Sequence, residues 1–144
     1  MGKITAICIS EQRGTQKHYV DSAELRVGHG LVGDAHAGNW HRQVSLLCQE
    51  KIDAFRAKGA VVQDGAFGEN IIVQGIDFKS LPVGVRYRSG QVLLEMTQIG
   101  KECHSHCAIF QAMGDCIMPR EGVFCKVLQG GLLRVGDELE VVSE

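Results

Sequence analysis

The sequence predicts a mainly β protein, a strand-rich barrel or folded sheet with few short helices. Short apolar segments rich in β-branched residues recur along the chain. The 18 glycines are spread between these segments, where they indicate turns rather than a flexible linker. A clear helical pattern occurs in one segment alone, which argues against a parallel α/β architecture.

The first part of the chain is expected to form strands around a glycine-rich loop. Residues 3–10 are rich in β-branched side chains and predict the first strand. Shorter strand-like pieces follow at 23–27 and 43–47. The segment between them, residues 28–38, is too polar and too rich in glycine to belong to a core, so it is expected to be a loop.

Residues 45–59 give the clearest helix prediction. Ile52 and Phe55 are three positions apart and would lie on one face of a helix. Gly59 follows them as a signal for the C-terminal end.

The second part of the chain is again expected to be strand-rich. Residues 65–75 predict a turn followed by a strand. Residues 83–100 contain two alternating runs joined at Ser89-Gly90, which is the pattern of a β-hairpin. Residues 121–144 predict two more short strands joined near Gly136-Asp137.

Composition limits the class of protein. The chain has no repeat, linker or change in composition, so we expect one domain over residues 1–144. A net charge of −2 gives no basic field for nucleic acid, and no apolar run is long enough for a membrane span. We therefore expect a cytoplasmic protein without nucleic-acid or membrane partners, and homo-oligomerisation is left open. In a reducing compartment the six cysteines would be thiols.

The segment 100–124 contains the densest group of reactive side chains. Two cysteines, two histidines and a lysine lie within seven positions: Lys101, Cys103, His104, His106 and Cys107. Cys116 follows shortly afterwards. The secondary structure of this segment is ambiguous, but in a helix the first two cysteines would face the same way.

The residues alone leave three interpretations of this cluster open. A structural zinc site needs four ligands and usually a C-x2-C pair, whereas the spacing here is C-x3-C. Both cysteines would be inert if they were buried, since free cysteine is a small apolar residue. The neighbouring histidines and Lys101 instead favour a thiolate, which is the nucleophilic form of cysteine.

Five further residues are candidates for ligand binding. Asp34 and His36 are two positions apart and share a face if the chain is extended, although a turn cap and an exposed histidine would explain them equally. Arg42 is either a surface charge or an anchor for a phosphate or carboxylate. Gly68 forms a turn whose N–H groups could meet an anion, and Asn70 could add an amide contact.

Six stretches between about Gly30 and the C-terminus carry a family likeness: GLVGDAHAG, RQVSLL, FGENI, LPVGVRYRSGQVLLEMTQIGKECH, CAIFQAMGDCIMPREGVF and VLQGGLLRVGDELEV. As an ordered set they resemble the MOSC domain, the module named for the C-terminal part of molybdenum cofactor sulfurases. The likeness is to small stand-alone bacterial members, which have no aminotransferase-like sulfurase domain. It covers nearly the whole chain.

The resemblance implies a MOSC-type β-barrel with a site that binds the molybdenum cofactor or carries sulfur to it. In the family one cysteine serves as a molybdenum ligand or as a persulfide carrier. Cys107, which precedes a short apolar stretch, fits that position best, and Cys103 is the second choice. His104, His106 and Lys101 would then supply a positive field that favours the thiolate.

The resemblance also implies a cofactor-binding set and partners. Arg42, Gly68 and Asn70 would hold the anionic pterin phosphate, and Asp34, His36 and Lys101 would belong to the same cofactor-binding set. A sulfur carrier needs a donor such as a cysteine desulfurase, which would hold the pyridoxal phosphate, and a recipient molybdoenzyme or cofactor-biosynthesis protein. Two alternatives are a cofactor-binding module without chemistry and a small molybdenum-dependent reductase of N-hydroxylated compounds.

Overall fold

The computed structural model describes residues 2–12, 17–100 and 121–142, and strands dominate them. The strands of this part are β1 Gly2–Ile9, β2 His18–Val20, β3 Ser22–Arg26, β4 Gly30–Leu31, β5 Val44–Cys48, β6 Ile71–Gln74, β7 Arg86–Ser89, β8 Val92–Ile99, β9 Val123–Gln129, β10 Gly131–Arg134 and β11 Glu138–Val142. Helical structure there consists of α1, Gln49–Ala57, and a 3₁₀ helix at Phe78–Ser80.

Seven strands close into a barrel in the order β1–β11–β7–β8–β9–β5–β6 and back to β1. Closure depends on the pairing of Gly2 with Leu139, which joins the two ends of the described chain. Neighbours in the barrel are antiparallel except β5 and β6, which run parallel through the register Leu46↔Ile71. Closing a sheet in this way removes its free edges. The predicted mainly β barrel is confirmed.

Two smaller elements lie outside the barrel. Strand β2 extends the sheet beyond β1, with Cys8 opposite Tyr19. Strands β10, β3 and β4 form a separate three-stranded sheet in that order. Neither β2 nor the two-residue β4 is expected from the sequence, because such short strands carry no alternating pattern of their own.

The wall of the barrel beneath α1 is buried on both faces. Val44, Leu46, Ile71 and Val73 belong to the barrel core. The residues that alternate with them face a second apolar cluster, in which Leu47 and Ile72 pack with residues of α1 and the neighbouring segments. Strands covered on both sides read as continuous apolar runs, which explains the sequences VSLLC and IIV.

The helix prediction is confirmed in type and corrected at its start. The helix begins at Gln49, because the first residues of the predicted 45–59 segment pair as strand β5 instead. Ile52 and Phe55 are buried, and the Phe55 ring packs edge-on against Phe67 with centroids 5.6 Å apart. Gly59 has φ +104°, and its N–H donates to Arg56 O, which ends the helix as expected.

The strand predictions in the second half are largely confirmed. Strands β7 and β8 form the expected hairpin, with Ser89 opposite Val92. The region 121–142 contains three strands rather than the two expected. Strands β10 and β11 are adjacent along the chain but join different sheets, a partition that depends on distant segments and has no local signal.

Asn70 clamps the strands of the buried wall together. Its Oδ1 accepts the Ser45 N–H at 3.0 Å, and its Nδ2–H donates to Cys8 O at 3.0 Å. Asn70 is 1% exposed, and its own N–H donates to Ser45 O. The side chain therefore replaces ladder hydrogen bonds where β1, β5 and β6 meet.

Replacing Asn70 with alanine is expected to destabilise the barrel. The change leaves the buried Ser45 N–H and Cys8 C=O without partners, at about 1–3 kcal/mol each. The free energy of unfolding in urea should fall by about 2–5 kcal/mol. Asn39→Ala is the matched control, since Asn39 is exposed. A loss below about 1 kcal/mol for Asn70→Ala would contradict the clamp.

Candidate functional site

The connection between β4 and β5 carries three of the predicted site residues, Asp34, His36 and Arg42. We call residues 32–43 the site loop. The Ala37 N–H donates to Asp34 O at 3.2 Å, and the Gly38 N–H donates to His29 O at 2.7 Å. The Asp34 N–H also donates to Leu31 O at 3.2 Å, so the first half of the site loop forms two consecutive turns, and the Gly38 bond ties it back to His29.

Lys17 places a buried ammonium group against these turns. Its side chain is 1% exposed, that of Asp34 is 0% exposed, and Nζ lies 2.7 Å from Oδ1. Nζ also lies 3.0 Å from His36 Nδ1 and 3.3 Å from Ser10 Oγ. Oδ1 of Asp34 accepts the Ser10 N–H as well, at 3.0 Å. The ion pair therefore ties the site loop to the end of β1.

Asp34 and His36 lie close together because both side chains contact the same ammonium group, in consecutive turns and not on the extended stretch that would place them on one face. Their environments differ. Asp34 is buried in the ion pair, and its Oδ2 has no hydrogen-bond partner among the described residues. His36 is only partly buried. Contact of either residue with a cofactor stays a prediction.

Arg42 lies at the second half of the site loop, against two aromatic rings. Its guanidinium carbon is 4.9 Å from the centroid of Trp40 and 5.4 Å from that of Phe124. The indole N–H of Trp40 donates to His36 O at 2.8 Å, which orients the ring. Arg42 Nε is buried and has no hydrogen-bond partner in the described part of the chain. Ring faces hold the charge of a guanidinium without using its N–H groups.

The site loop docks on the end of β8. His41 Nε2 lies 2.8 Å from Gln98 Oε1, and the Thr97 hydroxyl donates to His41 O. One residue beyond β8, the Gly100 N–H donates to Gly122 O at 2.6 Å. The chain between β8 and β9 thus leaves and returns at the strand ends on which the site loop rests.

The predicted thiol site lies outside the described residues. It comprises Lys101, Cys103, His104, His106 and Cys107, with Cys116 further along. The described residues that flank this segment lie next to the residues that hold Arg42.

The cysteines of the described part are poor nucleophiles. Cys8, Cys48 and Cys125 are free thiols and all three are buried. Burial raises the pKa of Cys8 to about 12, with a further contribution from the nearby charge of Glu69. Burial also raises the pKa of Cys48 and that of Cys125. At neutral pH little thiolate would form at these positions.

The FGEN stretch does not bring Gly68 and Asn70 to the surface as a pair. Gly68 is partly exposed, with φ +83° and open space around it, and its carbonyl accepts the Ser45 hydroxyl at 3.0 Å. Asn70 is engaged in the strand clamp. A phosphate contact by either residue stays a prediction.

Glu69, which lies between them, is a buried carboxyl group that shapes the preceding turn. Its Oε2 accepts the Gly65 N–H at 2.9 Å and its Oε1 accepts the Phe67 N–H at 3.0 Å. Burial raises the pKa of Glu69 to about 7, against the lowering effect of these hydrogen bonds. The Gly65 carbonyl accepts the Lys17 N–H at 3.2 Å, and a Cβ at Gly65 would lie 2.2 Å from Lys17 O. The turn therefore supports the backbone of Lys17.

Lys17 and Glu69 are the residues that sequence reasoning misses. Lys17 lies 17 positions from Asp34, in a polar stretch where the sequence gives no sign that a lysine is buried. An available signal is the charge of Glu69, which lies two positions before the apolar run Ile71–Val73. If both faces of β6 are taken to be buried, a charge just before that strand is expected to lie in an apolar environment.

Within residues 2–12, 17–100 and 121–142, no three His, Cys, Asp or Glu side chains are arranged to hold a metal ion. No helix in the same ranges is long and apolar enough to cross a membrane.

Comparisons with known proteins give a family and a fold. The sequence profile of the MOSC domain matches residues 33–140. The fold is similar to that of the YuaD protein from Bacillus subtilis, with a TM-score of 0.80 and 22% identity, over 98% of this chain and 96% of that chain. YiiM from Geobacillus stearothermophilus gives a TM-score of 0.72 and 18% identity, over 99% of this chain and 76% of that chain. YiiM from Escherichia coli gives 0.65 and 22%, over 99% and 70%. No curated protein matches the chain in sequence.

Glu69 is expected to make the free energy of unfolding depend on pH. Its pKa is about 7 in the folded protein against an ordinary value of 4.5, so the folded state holds the proton more tightly. This stabilising contribution is complete below the ordinary value and is lost as pH rises through about 7. The loss amounts to roughly 3 kcal/mol.

Urea unfolding of wild type and Glu69→Gln between about pH 5 and pH 8 measures this contribution. The variant carries no titrating proton and should lose less stability over this range. Glu140→Gln, at an exposed position, is the matched control and should follow the wild type. Equal pH dependence in wild type and Glu69→Gln would contradict the assignment.

Proposed function

Because the chain belongs to the MOSC domain family, we propose that it binds the molybdenum cofactor beside the site loop and carries sulfur for it on Cys107. The observation that supports this proposal most directly is the environment of Arg42. Its guanidinium is held on two aromatic rings, and its buried Nε–H has no hydrogen-bond acceptor among the described residues.

The charges around the site loop suit an anionic ligand. Lys17 neutralises Asp34, so that carboxylate adds no net charge beside a bound anion. Arg42 retains its charge, since it stacks on rings and is not paired with a carboxylate in the described part. A planar guanidinium matches the two oxygens of a phosphate group. The residues present therefore fit the phosphate of a pterin cofactor.

Arg42 would hold that phosphate, and Trp40 and Phe124 would keep the guanidinium oriented. When bound, the cofactor supplies a molybdenum centre that takes sulfur ligands. Cys107 would serve it from the segment that joins β8 to β9. The site loop docks on the end of β8, where this segment begins, which supports a contribution of both to one site.

Sulfur loading on Cys107 needs only a thiolate and a persulfide donor. The thiolate attacks the outer sulfur of a persulfide on a cysteine desulfurase. The sulfur–sulfur bond of the donor breaks, the donor cysteine leaves as a thiolate, and Cys107 gains one sulfur. His104, His106 and Lys101 would favour the attacking thiolate by their positive charge.

Arg42→Gln is expected to weaken cofactor binding by about 10- to 100-fold, as the loss of charged hydrogen bonds predicts. Arg42→Lys keeps the charge without the planar fork and should lie between wild type and Arg42→Gln. Equilibrium dialysis, with molybdenum measured by elemental mass spectrometry, gives the affinities.

Arg134→Gln is the matched control, because Arg134 is exposed on the separate sheet. Its affinity for the cofactor should equal that of wild type. The melting temperature of Arg42→Gln should stay close to that of wild type. Unchanged binding by Arg42→Gln would show that the phosphate is held elsewhere.

Incubation with a cysteine desulfurase and cysteine is expected to add about 32 Da, the mass of one sulfur atom, which dithiothreitol removes. Intact-protein mass spectrometry should show the adduct in wild type and in Cys116→Ser and Cys125→Ser, but not in Cys107→Ser. Cys103→Ser reports on the second choice. Cofactor binding without any sulfur adduct would leave a binding module and overturn the carrier role.

A further inference from the structure

A β-bulge in β8 lies where the site loop docks. Met96 of β8 pairs with Cys125 of β9. The next pair is Gln98 with Phe124, so β8 advances by two residues while β9 advances by one. Thr97 is the extra residue at this step. A bulge bends its strand and re-aims the side chains beside it, and bulges are frequent next to functional sites.

Thr97 and Gln98 both contact His41, although neighbouring side chains of a regular strand point to opposite faces. The Thr97 hydroxyl donates to the carbonyl oxygen of His41. The Gln98 Nε2–H donates to Gly100 O at 2.8 Å, so the amide oxygen of Gln98 is the atom that faces the His41 ring. His41 Nε2 therefore donates to this oxygen, at 2.8 Å. The bulge thus holds both the backbone and the ring of His41.

These contacts reach both of the rings that hold Arg42. The His41 ring packs edge-on against Trp40, with centroids 6.0 Å apart. The Thr97 oxygen also lies 3.2 Å from Phe124 O, so its single hydroxyl proton is shared between a carbonyl of the site loop and a carbonyl of β9. Thr97 therefore connects the loop that carries one ring to the strand that carries the other.

The stacking of Arg42 is sensitive to the position of the site loop on β9. The guanidinium carbon is 4.9 Å from the centroid of Trp40 and 5.4 Å from that of Phe124. The attraction between a cation and a ring acts within about 6 Å of the centroid. A displacement of the loop by about 1 Å would therefore lose the contact with Phe124.

We propose that Thr97 and Gln98 are positioning residues for anion binding, which hold His41 against β9 so that Arg42 stays on both rings. This inference rests on the proposed function for the ligand, whereas the effect on the rings is measurable without one. Thr97 acts through the carbonyl groups of His41 and Phe124, and Gln98 acts through the His41 ring.

Fluorescence of Trp40, the only tryptophan in the sequence, tests the arrangement of the rings in the whole protein without any ligand. Thr97→Val keeps the shape of the side chain and removes the hydroxyl. The site loop should then loosen, and acrylamide should quench Trp40 with a higher Stern–Volmer constant than in wild type. Gln98→Leu should raise the constant as well, since it removes the acceptor of the His41 ring. Thr97→Ser keeps the hydroxyl and should restore the wild-type value.

Thr5→Val is the matched control. The Thr5 hydroxyl also lies between two acceptors, Gln49 Oε1 at 2.7 Å and Ile72 O at 3.2 Å, but it joins β1 to α1 and β6. Loss of either hydroxyl should lower the free energy of unfolding in urea, whereas Thr97→Val alone of the two should change the quenching of Trp40. Equal quenching in wild type and in folded Thr97→Val would reduce Thr97 to a structural residue and overturn the proposal.

Cofactor affinity extends the test to the ligand, with molybdenum cofactor released from a denatured molybdoenzyme as the probe. Thr97→Val should bind about 3- to 10-fold more weakly than wild type, as one lost neutral hydrogen bond predicts. Thr97→Ser and Thr5→Val should bind as wild type does. Equal affinity in Thr97→Val and wild type would overturn the role in binding.

The two proposals fail separately. If wild type binds no cofactor while Thr97→Val raises the quenching of Trp40, the proposed function fails and the positioning of the rings stands. If wild type binds cofactor and Thr97→Val matches it in both quenching and affinity, the proposed function stands and this inference fails.

Discussion

The buried ion pair between Lys17 and Asp34 is the interaction on which the arrangement of the site depends. Removing two charges from water costs several kcal/mol for each ion, and their attraction offsets that cost only when further hydrogen bonds satisfy both groups. Here Ser10 supplies a hydroxyl and an N–H, and His36 supplies a ring nitrogen, while Asp34 Oδ2 has no hydrogen-bond partner among the described residues. The pair joins the end of β1 to the site loop. Separating its two partners would leave a buried charge unpaired, so the pair holds the loop to the barrel.

The barrel supports this pair from beneath. Asn70 locks β1, β5 and β6 at the strand ends, and Glu69, next to it, fixes the turn at Gly65. The Gly65 carbonyl then accepts the Lys17 N–H. The carbonyl oxygen of Lys17 lies so close to Gly65 that a Cβ there would not fit. The FGEN stretch therefore acts on the site through the backbone of Lys17.

Local patterns predicted those elements whose partners are near in sequence. Strand β1, the β7–β8 hairpin and the helix that ends at Gly59 carry periodicity or turn signals of their own. Barrel closure through Gly2 and Leu139, and the pairing of Lys17 with Asp34, depend on distant contacts that leave no local signal. Asn70 shows why site residues are harder to predict from sequence than strands. An amide after a glycine turn fits both a ligand contact and a strand clamp, and its burial, which distinguishes the two, is known only from the fold.

The negative charges of Asp34 and Glu69, two buried carboxyl groups near the site, are offset or reduced by different means. Asp34 is neutralised by a paired ammonium, whereas desolvation moves the pKa of Glu69 to about 7, so that a large share of it is protonated at neutral pH. The positive charge of Arg42 is therefore not offset by either of these two carboxyl groups. If an anion binds at Arg42 as proposed, the paired charge of Asp34 and the partly protonated Glu69 oppose it little, even though the whole chain carries a net charge of −2.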